Sequence, residues 1–183
     1  MFLLSACAIF VFQNIFPQVF GDSRGYFMES YKKELFEKYI GVVDFIQDNE
    51  SRSSYGVVRG LHFQRGEWSQ SKLVRVTQGR VYDVVVDLRR TSPTFGQYVG
   101  IELSDENKKQ LFVPRGFAHG FAVLSETAQF CYKVDNVYAP HEEVTLFYND
   151  PHVAVQWPIK AEEMLLSEKD KKGLGFEEIE VFE

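Results

Sequence analysis

From residue 72 to residue 148 the chain is a succession of short apolar, β-branched or aromatic stretches, each broken within about ten residues by Gly, Pro, Asp or Asn. A chain punctuated this often has no room there for long helices, which restricts it to short strands packed as a sandwich or barrel. The stretches are residues 72–77, 81–88, 97–103, 110–113, 118–124, 128–134 and 144–148. The first two flank Gln78-Gly79 and read as a hairpin. Helix signals are few. Residues 30–39 place Tyr31, Leu35, Phe36 and Tyr39 on one face before Gly41, and Ser167-Glu168-Lys169-Asp170 has the form of a capping box before Gly173. No repeat, low-complexity tract or linker divides residues 1–183, so the expected architecture is one mainly-β domain, a jelly roll (double-stranded β-helix) with a few short helices.

Composition narrows the partners. Aromatic residues make up 15% of the chain, which suits half-buried pleated surfaces. The net charge of −6 opposes tracking a nucleic-acid backbone or an anionic membrane, so neither is expected as a partner. No apolar run reaches the ~20 residues of a membrane span. Residues 1–12 resemble the apolar core of a secretion leader, but no Lys or Arg precedes them, and an opening β-strand is the alternative. Cys7 and Cys131 are isolated from one another and from any zinc-like spacing, so free thiols in a reducing, cytoplasmic setting are expected.

The four histidines, at 62, 119, 141 and 152, include no His-x-His pair, and no metal is expected. P-loop, dinucleotide and serine-hydrolase motifs are missing as well. What stands out is polar side chains within apolar strands. Alternation puts Leu61 and Phe63 on one face and His62 and Gln64 on the other, while His119 shares a face with Phe117 and Phe121, and Tyr132 with Phe130 and Val134. Two imidazoles and a phenol facing a barrel interior would need partners. Glycines beside Arg24 and Arg59 suggest backbone shaped for close approach, and Asp170 occupies the position where a capping box places its carboxylate.

Several segments, in order, resemble the dTDP-4-dehydrorhamnose 3,5-epimerase family: Val19-Phe20-Gly21-Asp22-Ser23-Arg24-Gly25-Tyr26-Phe27, Gln47-Asp48-Asn49, Val58-Arg59-Gly60-Leu61-His62-Phe63-Gln64, Ser92-Pro93-Thr94-Phe95-Gly96, Pro114-Arg115-Gly116-Phe117-Ala118-His119-Gly120-Phe121 and Leu166-Ser167-Glu168-Lys169-Asp170. The resemblance runs from about residue 19 to 171. It implies a metal-free cupin, usually a homodimer, that works without a cofactor on a dTDP-4-keto-6-deoxy sugar in dTDP-L-rhamnose synthesis.

It also implies roles. His62 matches the general base, Asp170 the carboxylate that orients it, Tyr132 the proton donor, and Lys72 the cation beside the sugar carbonyl. Arg24, Glu29, Gln47, Asn49, Arg59, His119, Glu143 and Lys169 match substrate-binding positions, and Phe27 and Tyr138 are suited to stack on base or sugar. Arg24 and Arg59 suit a diphosphate because a guanidinium fork pairs two oxygens at once. Such a ligand needs only a few local cations, which an acidic protein can supply. The chemistry fits these residue types: hydrogens at C3 and C5 flank a ketone, so a base on one wall, an acid on the other and a stabilised enolate suffice for inversion. Two alternatives stay open, an enzyme of the same scaffold acting as a single-carbon epimerase or ketoisomerase, and a non-catalytic sugar-binding cupin.

Overall fold

A computed structural model describes residues 3–6 and 13–183. Its strands are β1 (Leu3–Ala6), β2 (Gln13–Phe16), β3 (Val19–Asp22), β4 (Gly25–Met28), β5 (Gln47–Ser54), β6 (Val58–Gln64), β7 (Lys72–Gln78), β8 (Arg80–Asp87), β9 (Tyr98–Ser104), β10 (Gln110–Val113), β11 (Phe117–Val123), β12 (Thr127–Val134) and β13 (Glu143–Thr145). The helices are α1 (Lys33–Tyr39) and α2 (Glu168–Lys171). The strands pair antiparallel into a six-stranded sheet, β1-β2-β10-β7-β12-β5, a five-stranded sheet, β13-β6-β11-β8-β9, and a separate ribbon, β3-β4. This is the expected β-sandwich of cupin type. Among the described residues no helix is long and apolar enough to cross a membrane.

The sheets close on a core to which both contribute. Val74, Val76, Leu111, Val113 and Phe130 from the larger sheet meet Val81, Val85, Leu103, Phe117, Phe121 and Val123 from the smaller. The outer faces are covered too. Leu61, Phe63, Val84, Val86 and Ala118 pack under Val153, Val155, Phe176 and Ile179 of the C-terminal segment, and Phe36 of α1 packs on Ile15, Leu73 and Phe112. Double coverage explains why β8 has Val on both faces where a half-exposed antiparallel strand would alternate with polar residues.

Three sequence expectations need correction. The hairpin across Gln78-Gly79 does not form, because β7 joins the larger sheet and β8 the smaller. Gly79 turns the corner at φ +76°, where a Cβ would lie 2.0 Å from the Thr127 carbonyl oxygen. Its neighbours' bonds run to other loops: Gly79 N–H donates to Asp105 Oδ2, and Arg80 N–H to Ser125 Oγ. Val76 and Val81 therefore face each other across the core. The strand expected over 144–148 stops at Thr145, after which Leu146 bridges Leu174. The first helix starts at Lys33, with Tyr31 instead packing on Phe36 and Phe45. Within residues 1–12, the backbone of Leu3–Ala6 is a strand, while Cys7 and its neighbours lie outside the described residues.

Candidate active site

Between the sheets lies a cavity of about 540 Å³, reached by Arg59, His62, Lys72, His119, Tyr132, Lys169 and Asp170. Strand alternation sorts them. β6 commits Leu61 and Phe63 to the outer core and turns His62 inward, and β12 sends Phe130 and Tyr132 inward from the opposing sheet. Imidazole and phenol thus approach from two different sheets.

His62 Nε2 lies 2.6 Å from Asp170 Oδ1, a contact between residues 108 apart in the chain. Asp170 is 3% exposed. Burial pushes its carboxyl up, but hydrogen bonds from His62, Ser167 and the Gly60 N–H outweigh it and hold the group below the usual carboxylate range. With Nε2 donating to a carboxylate, Nδ1 is left as the basic nitrogen. Ser167 caps α2 by accepting from the Asp170 N–H at 3.1 Å, so the capping-box position and the His62 partner are the same residue.

Tyr132 stands opposite Asn49 on one side and Val74 on the other. Burial pushes its phenol up, so it remains protonated at neutral pH. Lys72 opens β7. As a whole the residue is half-buried, but its ammonium is enclosed by the cavity walls, and that desolvation draws it down to about 8 against the pull of Glu143 and Asp83. His119 Nε2 is 3.0 Å from both oxygens of Asp83, whose carboxyl is fully buried and pushed up by that burial. Among the described residues no group of three His, Cys, Asp or Glu side chains is arranged to hold a metal.

Of the cavity-lining residues, Lys169 leads into a polar chain outside the lining. The Tyr138 hydroxyl donates to Glu143 Oε2 at 2.6 Å, and Lys169 Nζ lies 2.5 Å from the same oxygen. Burial pushes Glu143 up, but these two partners bring it below its ordinary value. Arg59 donates from Nε to Ser53 Oγ at 3.1 Å. Gln47, whose Nε2 donates to Asn49 Oδ1 at 2.7 Å, and Asn49 share a face of β5 with Ser51, which lines the cavity.

Arg24, Phe27 and Glu29 are not brought to this cavity. Arg24 pairs with Asp22 at the tip of the β3-β4 ribbon, Phe27 is 65% exposed on β4, and Glu29 lies 3.8 Å from Lys32. Conversely, sequence reasoning did not single out Ser51, Leu165, Leu166 or Asp83. The signal for Asp83 was present: a carboxylate at the inward phase of a Val-rich strand needs a buried partner.

An imidazole bonded to a carboxylate on one side, a phenol on the opposing sheet and a lysine ammonium in the same cavity, inside a cupin barrel, are the equipment of one class: isomerases that move protons without consuming a co-substrate. Comparison with known proteins makes the class specific. The family model for dTDP-4-dehydrorhamnose 3,5-epimerase matches residues 9–178, and the chain belongs to that family. It is 54% identical over 167 residues to a dTDP-4-dehydrorhamnose 3,5-epimerase of Pseudomonas aeruginosa, covering 91% of each chain. It is also similar to the enzyme of that name from Elizabethkingia anophelis, with 50% identity, a TM-score of 0.92 and coverage of 96% and 97%. A dTDP-6-deoxy-D-glucose-3,5-epimerase of Legionella pneumophila, solved with dTDP-4-keto-L-rhamnose, superposes with a TM-score of 0.94 at 45% identity, over 98% of this chain and 95% of that one.

Proposed function

We propose that the protein inverts C3 and C5 of dTDP-4-dehydro-6-deoxy-D-glucose, giving dTDP-4-dehydro-L-rhamnose, with His62 as base and Tyr132 as acid. His62 Nδ1 takes the hydrogen next to the C4 ketone as a proton, and the C–H electron pair moves into an enolate. The Lys72 ammonium stabilises the enolate oxygen. Tyr132 gives its hydroxyl proton to the same carbon from the opposite face, and exchange with water returns His62 and Tyr132 to their starting states. The second carbon follows the same course. Product and substrate are isomers, so no electron donor or acceptor is consumed.

The observation that carries this reading is that His62, bonded to Asp170 of α2, and Tyr132 reach one cavity from opposing sheets. In this reading Arg59 and Lys169 meet the diphosphate, His119 the sugar, and Gln47, Asn49, Glu143 and Tyr138 the ribose and thymine. The protein acts as a homodimer in the cytoplasm. The ribbon supports the dimer, since Phe20, Tyr26 and Phe27 are each more than half exposed there and, among the described residues, Arg24 pairs with no anion other than its neighbour Asp22. A partner's cavity is where such a cation and ring would serve.

Turnover in deuterium oxide tests the reaction. Label is expected at both C3 and C5, and its appearance at one carbon alone would replace the reading with a single-carbon epimerase. His62→Ala is expected to remove turnover by about 10²-fold or more. A variant as fast as the parent would reject the assigned base.

A further inference from the structure

The Ser167 hydroxyl makes two bonds to one residue. It accepts from the Asp170 N–H at 3.1 Å, which is ordinary helix capping, and it donates to Asp170 Oδ2 at 2.6 Å, which is not. In a capping box the third residue's carboxylate reaches back to the backbone N–H of the cap. Here it turns to the Ser167 side chain with one oxygen and to His62 with the other.

Both oxygens of Asp170 are therefore assigned. Oδ1 receives His62 Nε2 at 2.6 Å and the Gly60 N–H at 3.4 Å, and Oδ2 receives Ser167. A carboxylate held at one oxygen only can swing about its Cβ–Cγ bond and release the imidazole; a carboxylate held at both cannot. We propose that Ser167 is a positioning residue for the reaction, its hydroxyl locking Asp170 so that His62 keeps Nε2 on the carboxylate and offers Nδ1 to the substrate. The inference rests on His62 being the base. Ser167 also lines the cavity, so substrate arriving there would enclose the Ser167–Asp170 bond and strengthen it.

Substituting Ser167 by Ala, Gly and Thr separates this role from capping. Glycine caps a helix nearly as well as serine but offers no hydroxyl, and threonine keeps the hydroxyl. Loss of the donor is expected to lower kcat about tenfold in both Ser167→Ala and Ser167→Gly, as for other groups that orient a functional histidine, with KM within about twofold. Ser167→Thr is expected to recover most of the loss. Capping alone predicts that Ser167→Gly turns over like the parent, and that result, or a Ser167→Thr variant as slow as Ser167→Ala, overturns the proposal. His62→Ala measured alongside distinguishes the two failures: if it is fully active, the base assignment falls and Ser167's role with it; if it is inactive while the Ala and Gly variants of Ser167 are undiminished, the positioning role alone falls.

Discussion

Lys72 sits under opposing demands. The enolate of the proposed reaction calls for a cation beside it, yet an enclosed ammonium resists carrying charge, and burial draws Lys72 down to about 8. The sign follows directly. Lys72 is charged below that value and loses its proton as pH rises through it, so the stabilising charge is present at neutral pH and lost in mildly alkaline solution. The rate in the free enzyme is expected to decline above about pH 8, and Lys72→Met to remove that limb together with about 10²–10³-fold of kcat. A pH series of kcat/KM on both proteins checks this, and an alkaline limb unchanged in the variant would assign the titration to another group. Asp83 shows the same tension from the opposite side. Its carboxyl is buried among valines and kept only by His119 and the nearby Lys72, so Asp83→Ala would leave a buried imidazole without its partner. A cost of about 1–3 kcal/mol is expected for the unpaired buried group, with Asp83→Asn less costly because the amide still bonds His119. Urea denaturation of the two variants separates these outcomes.

At the scale of elements, Gly79 decides topology. Its positive φ and the Thr127 carbonyl at the place of a Cβ turn what reads as a hairpin into the corner between sheets. Gly79→Ala is expected to destabilise well beyond the roughly 1–2 kcal/mol of a left-handed alanine. Gly66→Ala is the control: its φ is +52°, nothing lies within 4 Å of the place an added methyl would take, and it should show the conformational cost alone. Equal losses in chemical denaturation would mean that the Thr127 contact is not what fixes the corner. The same element shows what the sequence could and could not tell. Strand extents were legible in β10, which matches its apolar run, and the inward phases of His62, His119 and Tyr132 followed from alternation. The partner of a strand was not legible, since Val76 and Val81 suit a hairpin and a sandwich equally well. β5 went unread because Gln47-Asp48-Asn49-Glu50-Ser51-Arg52-Ser53-Ser54 has no apolar face. It is an edge strand whose inward side borders a polar cavity, so the burial that normally marks a strand is missing.

For the whole molecule, an acidic chain can still hold an anionic ligand because the cations are local. Arg59, Lys72 and Lys169 line one cavity inside a protein of net charge −6. Arg24 and Phe27 have the family's motif but stand apart from that cavity, which a single-chain sequence cannot reveal. In the proposed dimer the ribbon supplies them. Light scattering is expected to give twice the chain mass, and Phe27→Asp to raise KM by about tenfold or more, since losing an aromatic anchor from a binding surface costs upwards of about 1.4 kcal/mol. A monomeric parent with unimpaired turnover would reject this arrangement.

The long reach between His62 and Asp170 has a bearing on synthesis. The ribosome delivers the imidazole 108 residues before the carboxylate it bonds, and by then all the described strands of both sheets have been made. The His62–Asp170 contact is thus among the last that the growing chain can make. A chain cut short before Ser167 still carries His62, Tyr132 and Lys72, but it lacks both the carboxylate that bonds the imidazole and the Phe176 and Ile179 side chains that cover the outer core, so one truncation removes the pair and part of its support together.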